Sequence, residues 1–284
     1  MKMTPQLQLI SKMLLLLFIS IPIYSKAEVA APDFRQKLSD KAWEENLRKP
    51  NFQDREIIEG PNQNIIEIKA PYAAEDASVV PISIHTNIPQ SPDKYISKIH
   101  IYVDKNPLPL VGVFELTPHS GKADLAMRIR VDDFSYVRAI AEMNTGELYM
   151  AKSFVRAKGA CSAPPPASME DSVKLLGTMK MNVIGDVKLG EPNLMQLKIR
   201  HPNITGMAPL KVGSHVMPPP YFVKALEVDY NGDLIFKAQL TFSVSMDPAF
   251  RFYFVPEKEG VITVKGVDTK NKEFTSTHNV TVSS

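Results

Sequence analysis

The sequence has a single cysteine, Cys161, among 284 residues. An internal disulfide is therefore excluded, and stability has to come from hydrophobic cores. Zinc-ligand spacing, a phosphate-binding glycine loop and paired carboxylates in a recognisable motif are also missing. With them go the commonest signatures of an enzyme acting alone, and no resident cofactor is expected. Charge of one sign is lacking too: 33 basic side chains face 31 acidic ones. Such a balance gives no reason to expect nucleic acid or an anionic membrane as partner.

Long apolar runs are absent apart from residues 13–24, Met-Leu-Leu-Leu-Leu-Phe-Ile-Ser-Ile-Pro-Ile-Tyr. Lys2 and Lys12 precede that run, and Ser25-Lys26-Ala27 follows it. A basic start, a short apolar core and a small-x-small site make a secretory signal peptide, with cleavage expected after Ala27. A membrane span needs about 20 apolar residues, and Pro22 interrupts this run. No cysteine follows it, so a lipid anchor at a new N-terminus is not expected. Residues 1–27 carry three lysines and no acid, so removing them moves the formal charge from +2 to −1. An exported chain with one cysteine points to an intermolecular bond or a reactive thiol.

What is present is mostly alternation. Phe34, Leu38 and Leu47 are spaced for one face of a helix between Asp33 and Asn51, with Trp43 beside it and Pro50 ending the pattern. From about Asn64 the period becomes two. Ile66/Ile68, Val80/Ile82/Ile84, Ile99/Ile101/Val103, Leu125/Met127/Ile129/Val131 and Val137/Ala139/Ala141/Met143 each put one face inward. Leu148 and Met150 follow a turn at Asn144-Thr145-Gly146. The second half continues with Leu197/Ile199, Leu226/Val228, Leu234/Phe236/Ala238/Leu240, Phe250/Phe252/Phe254, Ile262/Val264 and Val280/Val282. Asn231-Gly232 between two such runs predicts a tight hairpin, because both central residues need positive φ. Short alternating strands with almost no helix between them predict an all-β protein of two antiparallel sandwiches in tandem. The expected boundaries are 28–156 for the first sandwich with its helix, 157–177 for an arm and Pro-rich linker, and 178–284 for the second sandwich.

Cys161 falls in Arg-Ala-Lys-Gly-Ala-Cys-Ser-Ala-Pro-Pro-Pro-Ala, residues 156–167. The prolines should be extended and stiff, and Ser168 with Asp171 three residues on could cap a short helix through Val173 and Leu176. Free cysteines are often small buried residues. Against that, Lys158, Gly159, Ala160, Ser162 and Ala163 offer no apolar partner larger than a methyl. Counted from Arg156, an extended arm could carry the sulfur about 15 Å off the sandwich. Lys158 and Arg156 would favour the nucleophilic thiolate. With no base adjacent, the thiol reads as an attachment point rather than a catalyst.

Three segments of the second half are distinctive: Lys-Ile-Arg-His-Pro-Asn-Ile-Thr-Gly-Met (198–207), Pro-Pro-Pro-Tyr-Phe-Val-Lys-Ala-Leu-Glu-Val-Asp-Tyr-Asn-Gly (218–232) and Asp-Pro-Ala-Phe-Arg-Phe-Tyr-Phe (247–254). They resemble the Z subunit of the SoxYZ sulfur-oxidation carrier. The first half, ending Val155-Arg156-Ala157-Lys158-Gly159-Ala160-Cys161, resembles the Y subunit, whose chain ends in a glycine-rich arm with one cysteine. In order Y then Z, the chain is similar to the fused group called quinoprotein dehydrogenase-associated SoxYZ-like carriers. The resemblance implies two immunoglobulin-like halves, a periplasmic location and intermediates held covalently on Cys161, as in thiosulfate oxidation. It also implies oxidising partners, among them a PQQ-dependent dehydrogenase or a cytochrome c. The family arm is Gly-Gly-Cys-Gly-Gly; here it reads Gly159-Ala160-Cys161-Ser162-Ala163, and the chain continues beyond it. The competing expectation is a non-covalent docking module for the same dehydrogenase, with the thiol incidental.

A third possibility is a soft metal site. His201 and His215 with Met207 and Met217 could suit copper in an exported protein. The spacings match no ligand motif, and His201-Pro202 shaping a strand end with methionines filling core gaps explains them equally.

Overall fold

The computed structural model describes residues 33–60, 63–163, 169–209 and 214–282. The segment read as a signal peptide lies outside them, as do prolines 164–166 and Ser168.

The chain enters through a capped helix. Gln36 N–H donates to the Asp33 carboxylate, and Asp33 N–H donates back to the Gln36 side chain, each at 2.9 Å. This reciprocal box satisfies two end donors of α1 (Phe34–Ala42). One π-helical stretch, Trp43–Arg48, then leads into α2 (Lys49–Phe52). Pro50 therefore does not end the helix; the change of pitch accommodates a residue without an N–H. The buried face also differs from the expected one. Phe34 and Leu38 are exposed, whereas Ser39, Trp43, Leu47 and Phe52 are buried.

Fifteen strands form two sheets among the described residues. The first half supplies β1 (Ile57–Glu59), β2 (Ile66–Lys69), β3 (Val80–Thr86), β4 (Ile96–Val103), β5 (Leu110–Leu116), β6 (Leu125–Ile129), β7 (Ser135–Met143) and β8 (Leu148–Val155). A short helix, α3 (Met169–Lys174), precedes the second half. That half supplies β9 (Met179–Ile184), β10 (Asn193–Ile199), β11 (Val223–Tyr230), β12 (Asp233–Leu240), β13 (Ala249–Phe254), β14 (Gly260–Asp268) and β15 (Glu273–Val280). Nearly all pairings are antiparallel; β1 beside β8 is parallel. The expected hairpin is there, with Asn231 and Gly232 at φ 52° and 91° between β11 and β12.

The two halves share both sheets. The larger runs β1-β8-β7-β4-β5-β12-β11-β14-β15 and the smaller β2-β3-β6-β13-β10-β9. The crossings are β5 on β12, from Leu116↔Phe236 to Gly112↔Leu240, and β6 on β13, through Met127↔Phe250. Four edges that separate sandwiches would expose are thereby paired with each other. Gly112 is required at the first crossing, since a Cβ there would stand 2.7 Å from the Gln239 carbonyl oxygen. One continuous core fills the space between the sheets and includes Phe114 from the first half with Phe236 and Phe250 from the second.

The helical segment covers the outer face of the larger sheet at β4, β7 and β8. Trp43, Leu47 and Phe52 pack on Tyr102, Ile140, Leu148 and Met150. Below them the buried Arg138 guanidinium donates to Asp104 at 2.9 Å and to Asp40 at 2.6 Å. Ser39 donates to the same Asp104 at 2.7 Å, and the Trp43 ring lies 4.9 Å from the guanidinium.

Candidate thiol site

After β8 the chain does not leave the sandwich. Arg156 bridges Ala73 in parallel, with its N–H donating to Tyr72 O at 2.7 Å. Gly159 turns at φ 82° with open space where a Cβ would be, so its role is conformational freedom. Its N–H donates to Asp132 O at 2.8 Å. Two residues on, Cys161 N–H donates to the Asp132 carboxylate at 2.8 Å. From the other half, the Thr205 hydroxyl donates to Cys161 O at 2.7 Å. The arm is thus clipped to one aspartate of the first half and one threonine of the second.

These clips correct the expectation of a thiol held out on a stalk. Cys161 is 1% exposed and Ala160 is buried, while Lys158, Ser162 and Ala163 face solvent. The chemistry is corrected with the geometry. Burial first, then the Asp132 charge, push the thiol up to about 12, while Arg130 pulls weakly the other way. At neutral pH the sulfur in this position is protonated, not the thiolate that Lys158 and Arg156 suggested.

Cys161 lines a cavity of about 540 Å³ whose walls also include Asp76, Arg128, Arg130, Arg200, Thr205 and Asp247. Arg130 is buried, and its guanidinium donates to the carbonyls of Phe242, Val244 and Asn203. Burial pulls it down to about 10, so it stays charged at neutral pH. Arg128 donates to Asp247 O at 2.9 Å, and its buried Nε has no hydrogen-bond partner among the described residues. Three guanidinium groups face two carboxylates in this cavity, Asp76 and Asp247, the latter paired with Arg200 at 2.6 Å. The cationic surplus suits an oxoanion, which planar donor forks bind well.

The His-Pro segment builds the wall that holds the arm. His201 Nδ1 accepts from Asn203 N–H at 3.1 Å, and Asn203 takes a positive φ of 39°. Asn203 in turn donates to Val244 O and Ser245 O and accepts from Val223 N–H. Ile204 and Tyr221 exchange backbone bonds at 2.7 and 2.9 Å, which fixes Thr205 over the arm. Gly206 has φ 83°, and a Cβ there would stand 2.9 Å from Pro220.

The metal candidates are not brought together. His201 is fully buried against Tyr221, with Nε2 3.7 Å from Asp268 Oδ2. His215, Met207 and Met217 are exposed. Burial pushes His201 down to about 4, against the pull of Asp268, so it is neutral. Among the described residues no group of three or more His, Cys, Asp or Glu side chains could hold a metal ion.

Sequence reasoning singled out Cys161 and its flanks but missed Asp132, Arg130, Arg128 and Thr205. A signal existed for three of them. Arg128, Arg130 and Asp132 alternate with Met127, Ile129 and Val131, a charged row on the reverse of the cleanest apolar run. Its burial comes from residues 203 and 242–244, which no local pattern places there.

Two immunoglobulin-like sandwiches with fused sheets and one thiol at their seam define a β-sandwich protein with a cysteine arm. Comparison with protein families agrees. Residues 49–161 match the model of the sulfur oxidation protein SoxY, and residues 181–279 match that of the sulphur oxidation protein SoxZ. The chain carries a SoxY domain followed by a SoxZ domain and belongs to the sulfur-oxidation carriers in fused form. The SoxY match ends on Cys161 itself. No curated protein matches. Among solved structures, the chain is similar over 32% of its length to a superoxide reductase (neelaredoxin) from Ignicoccus hospitalis. That match covers 79% of the reductase, at 16% identity and a TM-score of 0.30. It is also similar to a glycosyl hydrolase family 2 member from Bacteroides cellulosilyticus DSM 14838, at 8% identity and a TM-score of 0.20. There 71% of this chain overlays 24% of the hydrolase.

Proposed function

We propose that this protein holds a covalent sulfur-linked intermediate on Cys161 and presents it to oxidising enzymes in the periplasm. The observation that carries the reading is the lone cysteine in the wall of a cavity shared with Arg128, Arg130 and Arg200, at the seam of the two domains. Joining the thiol to the outer sulfur of a sulfur oxoanion forms one S–S bond and releases one proton and two electrons. An oxidising partner takes the electrons, with a cytochrome c or a PQQ-dependent quinoprotein dehydrogenase system in that role. The arginines then neutralise the oxoanion end of the adduct. Clipped down, the thiol is protonated and covered, so loading requires the arm to lift. Three hydrogen bonds hold it, worth roughly 3 kcal/mol together. Carrier and stored states are then two positions of one segment, residues 157–163.

The depth of burial favours a second reading, a non-covalent docking module for the same dehydrogenase or cytochrome with the thiol incidental. Intact-mass analysis of the protein, purified from periplasm without reductant, separates the two. The carrier reading expects a native adduct that vanishes in Cys161→Ser together with pathway flux. Full flux in Cys161→Ser would leave the docking module. The same experiment reports export, because the expected mature chain begins after Ala27.

A further inference from the structure

Among the described residues the outer face of the smaller sheet carries an open groove, and the charges that line it are one-sided. Strand register places Lys180 of β9 directly opposite Lys198 of β10, and Lys198 opposite Ala249 of β13. Arg251 of β13 lies opposite Gln196 and Ala126, and Arg128 of β6 opposite Pro81. Together with Arg200 these side chains line a groove of about 850 Å³. Five cations meet one carboxylate there, Asp247, which Arg200 already holds at 2.6 Å. Among the described residues Lys180, Lys198 and Arg251 have no ion-pair partner. Like charges directly opposite on neighbouring strands destabilise a sheet. The chain as a whole is balanced, 33 basic to 31 acidic, so this surplus is a matter of placement and not of composition.

Size and shape narrow the occupant. The row Lys180–Lys198–Ala249–Arg128 crosses four strands, about 14 Å at the usual strand spacing. That is too wide for one small oxoanion and suits several carboxylates presented by a protein surface. Ala126 and Ala249 give the groove a low floor, so a partner segment can approach the backbone. Arg128, Arg200 and Asp247 line both this groove and the Cys161 cavity. A protein seated here therefore stands at the mouth of the thiol site.

We infer that the outer face of β9, β10, β13 and β6 is a docking surface for an acidic patch of a partner protein, seated next to the cysteine cavity. The inference rests on the carrier reading only in taking that partner to be an enzyme that works on the cargo. Rim charges of this kind act mainly on encounter rate and on salt dependence. The groove thus steers the enzyme to the arm before any contact with the sulfur.

The test is photo-crosslinking of the full chain in its own cells, with benzoylphenylalanine at position 196 in the groove. The expected result is a crosslink to one protein, at a peptide rich in Asp and Glu. Its yield should fall at least tenfold in Lys180→Glu/Lys198→Glu and stay unchanged with Glu67→Lys, on the far edge of the same sheet. Crosslinking to a second copy of this chain, to a peptide without acidic residues, or at undiminished yield after charge reversal overturns the inference. So does binding of the purified protein to phosphatidylglycerol vesicles that the same double substitution abolishes, which would make the occupant a lipid surface. The crosslink is expected to survive Cys161→Ser. Loss of the native adduct's role would therefore leave docking intact, and loss of docking would leave the adduct to be measured on its own.

Discussion

The outer faces of the two sheets handle positive charge in opposite ways. On the larger sheet Arg138 is 1% exposed, held by Asp104 and Asp40 and roofed by Trp43. On the smaller sheet Lys180, Lys198 and Arg251 are exposed, with no carboxylate partner among the described residues. A buried ion pair specifies how the helix sits, and breaking it strands a charge. An open row of like charges contributes nothing to the fold and costs a little. The one cation is enclosed by the helical segment; the others line an open groove.

The comparison can be broken at its strongest point. Asp104→Ala leaves the Arg138 guanidinium buried with only Asp40, and is expected to cost about 3–5 kcal/mol in urea unfolding. Lys198→Ala, matched in exposure to nothing in the core, should change stability by less than about 0.5 kcal/mol. Equal losses at the two positions would erase the distinction.

Next in size is the thiol. Alkylation of Cys161 in the native protein at pH 8 should run about 100-fold slower than in the unfolded chain, given roughly 3 kcal/mol of clipping. Thr205→Val removes one clip and should speed it about fivefold. Because the folded thiol is pushed up to about 12 from an ordinary 9.0, the closed arm loses stability as pH rises above 9 toward 12. Alkylation that simply follows an ordinary thiol pKa with no protection would show that the arm is open in solution.

His201 supplies the opposite pH dependence. Its folded value is about 4 against 6.5 unfolded, so stability is full above 6.5 and is lost as pH falls toward 4. His100 is also lowered, chiefly by burial. The thermal midpoint should drop by several degrees between pH 6.5 and 4.5, and His201→Gln should flatten that slope without removing it. The smallest effect is Lys198→Glu, which relieves the pair with Lys180 and should raise stability by a few tenths of a kcal/mol.

Much of the fold was legible because burial on one side writes period two into a strand. Leu125 to Val131 and Phe250 to Phe254 announce themselves in that way. Of the strands that join the halves, β6 and β13 are among these legible runs but β5 is not. β5 pairs its inward Phe114 and Leu116 with Gly112, and it follows Pro107 and Pro109, so its pattern is broken where the crossing needs a close approach. The helix was found but its face was misread, because Ser39 and not Leu38 is the inward residue, bonded to Asp104. The cysteine was found and its exposure misread for a related reason. Small, polar neighbours look like a solvated loop when the groups that cover them come from residues 130, 132 and 205.

The paired edges at β5–β12 and β6–β13 also change what the peptide link between the domains is for. Two separate subunits would meet through the same strands at a rate and occupancy set by their concentrations. In one chain the second half is present at an effective concentration in the millimolar range whatever the expression level. Stoichiometry is fixed at one to one, and neither half has to survive alone with open strands that invite aggregation. Cleaving the chain between residues 163 and 169 should leave a complex that stays together, with Cys161 now near a free end.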